Sequence, residues 1–335
     1  MQGFRSTLVV LTVGALAASS VARAQSVKTE TKVAYLGAPN NIRLSNGNVE
    51  LILSTDYGPR IMRYAFVNSG DEGNILGTLP GPTAKTEFGE WWIRGGHRLW
   101  HAPEGMPRTY EPDNEPIQVE MDGSTVKLIQ PLEKNTRLHK EMWITLDPEG
   151  SRVTVAHKLT NKGLFAMDVA IWALTVMNRE GVAIVPQEPF KPKSDDTLLP
   201  VRPMVLWPYT DLTDPRWTLG RSLVLLRQNP ALKDPQKMGF LNRQGWAAYA
   251  RKGALFVKRF AFDATKTYPD YNCNTELFTN DAMLEVETLG PMTYLQPGQS
   301  ITHIEHWFLF KKEVGTTEAA ILAALQPILT ETAPR

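Results

Sequence analysis

The feature that most constrains this chain is an alternation of apolar and polar residues with period two, broken repeatedly by glycine-bearing turns. Asn48-Val49-Glu50-Leu51-Ile52-Leu53, Thr125-Val126-Lys127-Leu128-Ile129 and Arg152-Val153-Thr154-Val155-Ala156-His157-Lys158-Leu159 all show it. Successive side chains of a strand point to opposite faces, so this pattern predicts half-buried antiparallel strands. Ser45-Asn46-Gly47-Asn48, Met121-Asp122-Gly123-Ser124, Asp147-Pro148-Glu149-Gly150 and Gln296-Pro297-Gly298-Gln299 supply the turns between them. Asn-Gly and Asp-Gly accept the positive φ angles that tight hairpins demand. No internal repeat or low-complexity tract interrupts the series.

One segment departs from the pattern. From Thr317 to Leu329, Ala320, Ile321, Ala324, Leu325 and Ile328 recur at three- and four-residue spacing, behind threonines able to cap the first turn. The expectation is an all-β fold, two large antiparallel sheets packed as an extended sandwich, with a C-terminal helix on the outside. Residues 186–220 are rich in Pro, Asp and Lys and contain Trp207 and Trp217; they are expected to be a loop inserted into a single β-domain. The expected boundaries are a signal segment over 1–24, a lead-in over 25–39, the sandwich over 40–312, and helix and tail over 313–335.

The N-terminus combines Arg5, an apolar or small run from Thr7 to Ala18, and small residues at Ala22 and Ala24. A run of about a dozen residues is short of the roughly 20 that span a bilayer. This is the form of a secretory signal cleaved near Ala24, and it predicts an exported, periplasmic or secreted protein with no membrane association after cleavage. The formal net charge of +1 gives no pull toward nucleic acid. The single Cys273 excludes an internal disulfide and a multi-cysteine zinc site.

Three segments concentrate polar chemistry. Arg94-Gly95-Gly96-His97-Arg98-Leu99-Trp100-His101-Ala102-Pro103-Glu104 offers a proton-transfer group, a fixed cation and glycines that let backbone approach a ligand, with Trp91 and Trp92 close by. Cys273-Asn274-Thr275-Glu276 is followed by Leu284-Glu285-Val286-Glu287. On a strand Glu285 and Glu287 share a face, and paired carboxylates raise one another's pKa toward the range useful for acid–base work. Thr302-His303-Ile304-Glu305-His306 does not match a metal motif: a strand turns His303 and Glu305 one way and His306 the other, and the helix-borne zinc motif needs two His four apart. No metal or other cofactor is expected. His139 and His157 are expected as surface or packing residues. No phosphate-cradling glycine loop and no nucleophile elbow occurs.

Val153 to Gly163, ending in Thr160-Asn161, resembles a strand of the aldose 1-epimerases. Leu284 to Phe310, with Glu287-Thr288 and Pro297-Gly298, resembles their closing strands. Tyr57-Gly58-Pro59-Arg60-Ile61 resembles their opening hairpin. With Gly95-Gly96-His97-Arg98-Leu99-Trp100, these segments resemble the galactose mutarotase-like superfamily, and its DUF4380-type branch more than true mutarotases. The resemblance implies a β-supersandwich with a sugar-sized cleft on a concave sheet face. It also implies a late-strand Glu as base toward the anomeric hydroxyl, matched best by Glu287 with Glu285 as fallback. The middle-strand His that serves those enzymes as acid has no counterpart, because Trp172 or Ala173 falls at its place.

The expected function is therefore an exported protein binding a mono- or oligosaccharide. Trp100 and Trp172 would stack on the sugar, and Arg98, Asn274, Glu276 and Glu285 would hydrogen-bond it. The alternative is an isomerase on the same fold with Glu287 as base and His97 as acid, if the fold brings them to one pocket. A third possibility is an interaction module without a cleft.

Overall fold

A computed structural model describes residues 26–81 and 83–334. The expected signal segment, residues 1–24, lies outside them. Strands make up 46% of the structure and helix 8%, and the strands form two large sheets. The larger, of eleven strands, runs in spatial order Lys28–Tyr35, Ala38–Ser45, Val49–Ser54, Arg60–Phe66, His97–Ala102, Met167–Met177, Leu284–Leu289, Thr275–Thr279, Gln236–Phe240 and Met204–Leu206. Thr293–Leu295 also pairs with Met167–Met177. The smaller, of ten strands, runs Trp217–Leu219, Leu223–Arg227, Val182–Pro186, Trp246–Arg251, Ala254–Phe260, Ser300–Lys311, Val153–Asn161, Leu138–Leu146, Thr125–Ile129 and Gln118–Asp122. All pairings within both are antiparallel.

The alternation read from sequence builds the core. Leu51, Leu53, Leu99, Ile171, Leu277 and Val286 from one sheet meet Leu128, Ile144, Val155, Phe256 and Trp307 from the other in one continuous apolar cluster. The turns behave as their residues demand: Gly47 and Gly123 adopt φ 85° and 55°. Gly95 and Gly96 serve a purpose other than the one expected. A Cβ on Gly95 would lie 2.2 Å from the Gly77 carbonyl oxygen, and one on Gly96 2.3 Å from that of Ile61, so they admit neighbouring backbone rather than a ligand.

The segment expected as a lead-in supplies the edge strand Lys28–Tyr35. The 186–220 excursion is more than a surface loop, because it contributes one edge strand to each sheet: Met204–Leu206 pairs with Gln236–Phe240, and Trp217–Leu219 with Leu223–Arg227. The C-terminal helix, Glu318–Glu331, starts at Thr317, whose hydroxyl accepts the Ala320 N–H. Its Ile321, Leu325 and Ile328 cover Ile184, Leu225, Ala248 and Val257 on the outer face of the smaller sheet. Among the described residues no helix is long and apolar enough to cross a membrane.

Leu325 is fully buried in that contact. Leu325→Ala is expected to lower unfolding stability by about 2–5 kcal/mol through lost burial and a cavity. Leu164→Ala, at a side chain 87% exposed, changes it by no more than about 0.5 kcal/mol. Urea titration of the two variants checks this.

Candidate functional site

Four adjacent strands of the larger sheet, His97–Ala102, Met167–Met177, Leu284–Leu289 and Thr275–Thr279, carry polar residues on both faces. Alternation sorts them. His97, Thr175 and Thr288 point between the sheets, where they bond His157, Lys258 and Glu305 of the smaller sheet. Arg98, Trp100, Trp172, Glu276, Glu285 and Glu287 point outward, as does Lys237 from the next strand.

The outward cluster centres on two carboxylates. Glu276 and Glu287 are direct cross-strand partners and are 0% and 1% exposed. Like charges placed opposite one another on a sheet repel, and here the Lys237 ammonium lies between them. Its Nζ is 2.7 Å from Glu276 Oε2 and 3.2 Å from Glu287 Oε2. The rings of Trp172 and Trp207 flank the same ammonium, with centroids at 4.6 and 4.7 Å, and a cation over an aromatic face is attracted to it. Trp172 Nε1 donates to Glu287 Oε2 at 2.9 Å.

No N–H or hydroxyl of the protein donates to Oε1 of either glutamate. Burial pushes the Glu276 carboxyl well above the usual carboxylate range; Lys237 opposes this and Glu287 reinforces it. Glu287 is raised as well, again by burial first, with Lys237 opposing. Burial alone would depress Lys237, but Glu276 and Glu287 outweigh it and hold the ammonium firmly protonated.

Two further carboxylates complete the cluster. Asp270, Tyr271 and Asn272 take positive φ angles of 50°, 57° and 78° in succession. Non-glycine residues adopt this left-handed conformation only at a cost, typically of order 1 kcal/mol or more each. The turn is held by Asn272 Oδ1 accepting the Tyr268 N–H and by Cys273 N–H donating to the Pro269 carbonyl. It turns the Asp270 carboxyl onto Glu276 and leaves Tyr271 91% exposed. Glu104 accepts the Tyr110 hydroxyl, and Tyr110 packs edge-on to Trp100, which packs on Trp172. Trp207 of the 186–220 excursion lies against Lys237, and Tyr209 lies within the field of Lys237 and Glu287. Gly239 makes room for this, since a Cβ there would strike Cys273 Sγ at 2.4 Å and the Trp207 ring at 3.3 Å.

The inward cluster is a separate, fully buried hydrogen-bond chain. His157 Nδ1 faces the His303 carbonyl at 3.0 Å, which can only accept, so Nδ1 carries the proton and Nε2 is an acceptor. His97 Nε2–H then donates to it across 2.7 Å. His97 Nδ1 in turn accepts from the Thr175 hydroxyl at 2.8 Å, and Thr175 accepts from Lys258 Nζ at 2.7 Å. Both imidazoles are neutral, with burial the main cause of their depressed pKa values. Glu305 accepts from Lys258 at 2.9 Å, from Trp307 Nε1 at 2.8 Å and from Thr288. Burial would raise Glu305, but the Lys258 ammonium more than offsets it and keeps the carboxylate ionised. His97, His157 and Glu305 are the one group among the described residues with metal-ligand proximity. Lys258 already supplies its positive charge.

The structure thus gathers Arg98, Trp100, Trp172, Glu276, Glu285 and Glu287 on one face, with three corrections. His97 shares no pocket with Glu287: odd and even positions of its strand face opposite ways, and the whole thickness of the sheet separates them. Asn274 is not free for a ligand, because its amide accepts the Asn242 N–H at 2.7 Å and donates to the Asn242 carbonyl at 2.9 Å. Glu285 is held by Arg98 at 2.6 Å, and that guanidinium lies over Trp100 at 4.5 Å, so Trp100 is covered by protein rather than open for stacking. Lys237, Asp270 and Tyr209 were not anticipated, and Glu104 was read only as the end of the polar run that begins at Arg94. Lys237 and Asp270 stand alone in the sequence, and strand pairing and a left-handed turn bring them in. His157, expected as a surface or packing residue, belongs to the inward chain.

No family model matches the sequence, and no curated protein matches it. Solved structures do match in shape. A galactose mutarotase-like protein from Lactobacillus casei ATCC 334 is 12% identical, with a TM-score of 0.52 over 81% of this chain and 100% of that one. A proposed aldose 1-epimerase from Klebsiella pneumoniae subsp. pneumoniae MGH 78578 is 14% identical, with a TM-score of 0.55 over 90% of this chain and 87% of that one. The fold is the galactose mutarotase-like β-supersandwich. The chain also matches a TPR-domain containing protein from Parabacteroides distasonis ATCC 8503 at 14% identity and a TM-score of 0.52, covering 82% of this chain and spanning 48% of that longer one. Within this mutarotase-like fold, Glu287, Glu276 and Lys237 lie on the three strands next to the Met204–Leu206 edge of the larger sheet.

Lys237→Met is expected to cost about 3–5 kcal/mol of stability, the usual result of removing one partner from a buried ion pair. Without the ammonium both carboxyls retain protons to higher pH in the folded state than in the unfolded chain. The folded state then binds more protons, so stability falls as pH rises through that window. The deficit against wild type is therefore largest near pH 8 and shrinks toward pH 5, as read from urea midpoints, and adding Glu276→Gln recovers part of it.

Proposed function

We propose that this is an exported carbohydrate-binding protein that takes a mono- or oligosaccharide on the outer face of its larger sheet, between Trp207 and Tyr209 and the Glu276–Lys237–Glu287 cluster. The observation that carries this is the pair of buried Oε1 atoms on Glu276 and Glu287, to which no N–H or hydroxyl of the protein donates. Buried polar atoms are rarely left unpaired, and sugar hydroxyls are donors that fit them. Trp207 and Tyr209 add aromatic surface at the same place, suited to the C–H faces of a pyranose. The form of residues 1–24 supports export, and the run from Gly95 to Trp100 supports a place in the DUF4380-type branch.

A second reading follows from the register of the two glutamates. Glu276 and Glu287 are opposite one another with both pKa values raised, which allows one to hold a proton while the other is ionised. In an anomer interconversion, ionised Glu287 would take the proton of the anomeric hydroxyl as protonated Glu276 gives its proton to the ring oxygen. The C1–ring-oxygen bond breaks to leave the open aldehyde. Rotation about C1–C2 and reclosure, with the two roles exchanged, return both protons. Glu276 here replaces His97 as the acid.

Tryptophan fluorescence against a panel of sugars, with exchange NMR of the anomeric protons, tests both. Saturable binding is the expected result. If the dyad is catalytic, Glu287→Gln slows interconversion by on the order of 10²–10⁴-fold and binding persists. If binding occurs without acceleration, the binding reading stands alone. If no sugar is bound, the proposal fails.

A further inference from the structure

A pocket of ≈ 440 Å³ opens at the other end of the larger sheet from Lys237. Leu36, from the hairpin between Lys28–Tyr35 and Ala38–Ser45, lines it together with Tyr57, Met62, Leu79, Trp92 and Arg94. Tyr57 and Met62 are buried and pack with Ala38. Arg94 is the one charged side chain among the described lining residues.

Arg94 is held there by construction. Its backbone takes φ 54°, a left-handed conformation that is costly for any residue with a Cβ. The segment is pinned by Arg60, which is fully buried and donates to the carbonyls of Trp92 at 3.0 Å, Gly95 at 3.3 Å and Ile93. The Arg94 guanidinium lies over the Tyr57 ring at 4.1 Å and the Trp92 ring at 4.9 Å, where the ring faces attract its charge. Nη2 donates to the Asn114 side-chain oxygen at 2.7 Å, and Nε is buried without an acceptor. Among the described residues no carboxylate forms an ion pair with it. Asp113, beside Asn114 in the chain, is taken by Arg60 at 2.9 Å. Glycine would adopt the same backbone without the cost, so what Arg94 adds at this position is a cation.

An apolar wall with one directional charge is the usual make-up of a small-molecule pocket, and such pockets hold about 300–1,000 Å³. A planar guanidinium is matched by a planar carboxylate. Hydroxyl groups would find few partners, since Thr78 and Tyr57 supply the other polar side chains of the lining. We propose that this pocket binds a small carboxylate with an aromatic or aliphatic body, its carboxylate on Arg94 and its body against Leu36, Met62 and Leu79. It is a second site, independent of the saccharide reading of the Lys237 cluster.

Isothermal titration calorimetry with phenylacetate, phenylacetamide, acetate and glucuronate tests it. Phenylacetate is expected to bind saturably, on the order of tenfold tighter than its neutral amide, equivalent to about 1.4 kcal/mol, and tighter than acetate or glucuronate. Arg94→Gln is expected to erase the difference between acid and amide, with a thermal melt to show that the variant folds. Leu36→Glu, at a side chain 56% exposed, leaves Arg94 in place and sets a competing carboxylate on the rim. It is expected to weaken phenylacetate by on the order of tenfold. Acid and amide binding equally well overturns the proposal. So does a preference for the acid that survives in folded Arg94→Gln or, should that variant not fold, in Leu36→Glu. Glucuronate or acetate binding as tightly as phenylacetate overturns the apolar body, and binding of none of the four overturns the site.

Discussion

The Lys237 ammonium is the contact on which the outer face depends. Strand pairing sets Glu276 directly against Glu287 on a face where neither reaches solvent. Such an arrangement is tenable only if the carboxyls are neutral or share a cation. Lys237 is the cation. It is itself buried and is made tolerable by the two carboxylates and two indole rings around it. A packed apolar substitute would often serve stability as well or better.

The same strands hold a second lysine cluster behind the first. Lys258 and Glu305 sit between the sheets, joined through Thr175 to the His97–His157 pair. Thr288 bonds Glu305 on the inside, and its neighbour Glu287 meets Lys237 on the outside. One strand thus anchors two polar clusters through adjacent residues, which the pleat separates completely. The inner cluster has its hydrogen bonds matched along a single direction and contains little that is unsatisfied. The outer one retains carboxylate oxygens to which no N–H or hydroxyl of the protein donates. That contrast distinguishes a structural cluster from one that can receive a ligand.

Much of this was legible in the sequence, because alternation and turn chemistry are local properties. The sandwich, the hairpins at Gly47 and Gly123, and the amphipathic helix capped by Thr317 follow from residues close together in the chain. Alternation also places Glu285 and Glu287 on one face, and Arg98 and Trp100 on another strand's single face. Which face of a strand looks outward is set by pairing between distant segments, and that information is absent locally. His97 was assigned to the site for this reason, although its neighbour Arg98 is the residue that faces out. Lys237 and Asp270 were invisible because a lone lysine and a lone aspartate carry no pattern. Asn274 looked like a ligand contact because nothing nearby reveals that Asn242 backbone occupies its amide.

The two buried lysines provide their own control. Both ammonium groups are shielded from water, one on each face of the larger sheet, and their Nζ resonances can be followed in a ¹⁵N-lysine-labelled sample while a hexose or hexosamine is added. If the outer cluster is the ligand site, the Lys237 resonance moves with saturating dependence on sugar while that of Lys258 stays in place. A shift at Lys258 alone, or none at Lys237 under conditions where the protein binds the sugar, would contradict the assignment of the site to the outer face.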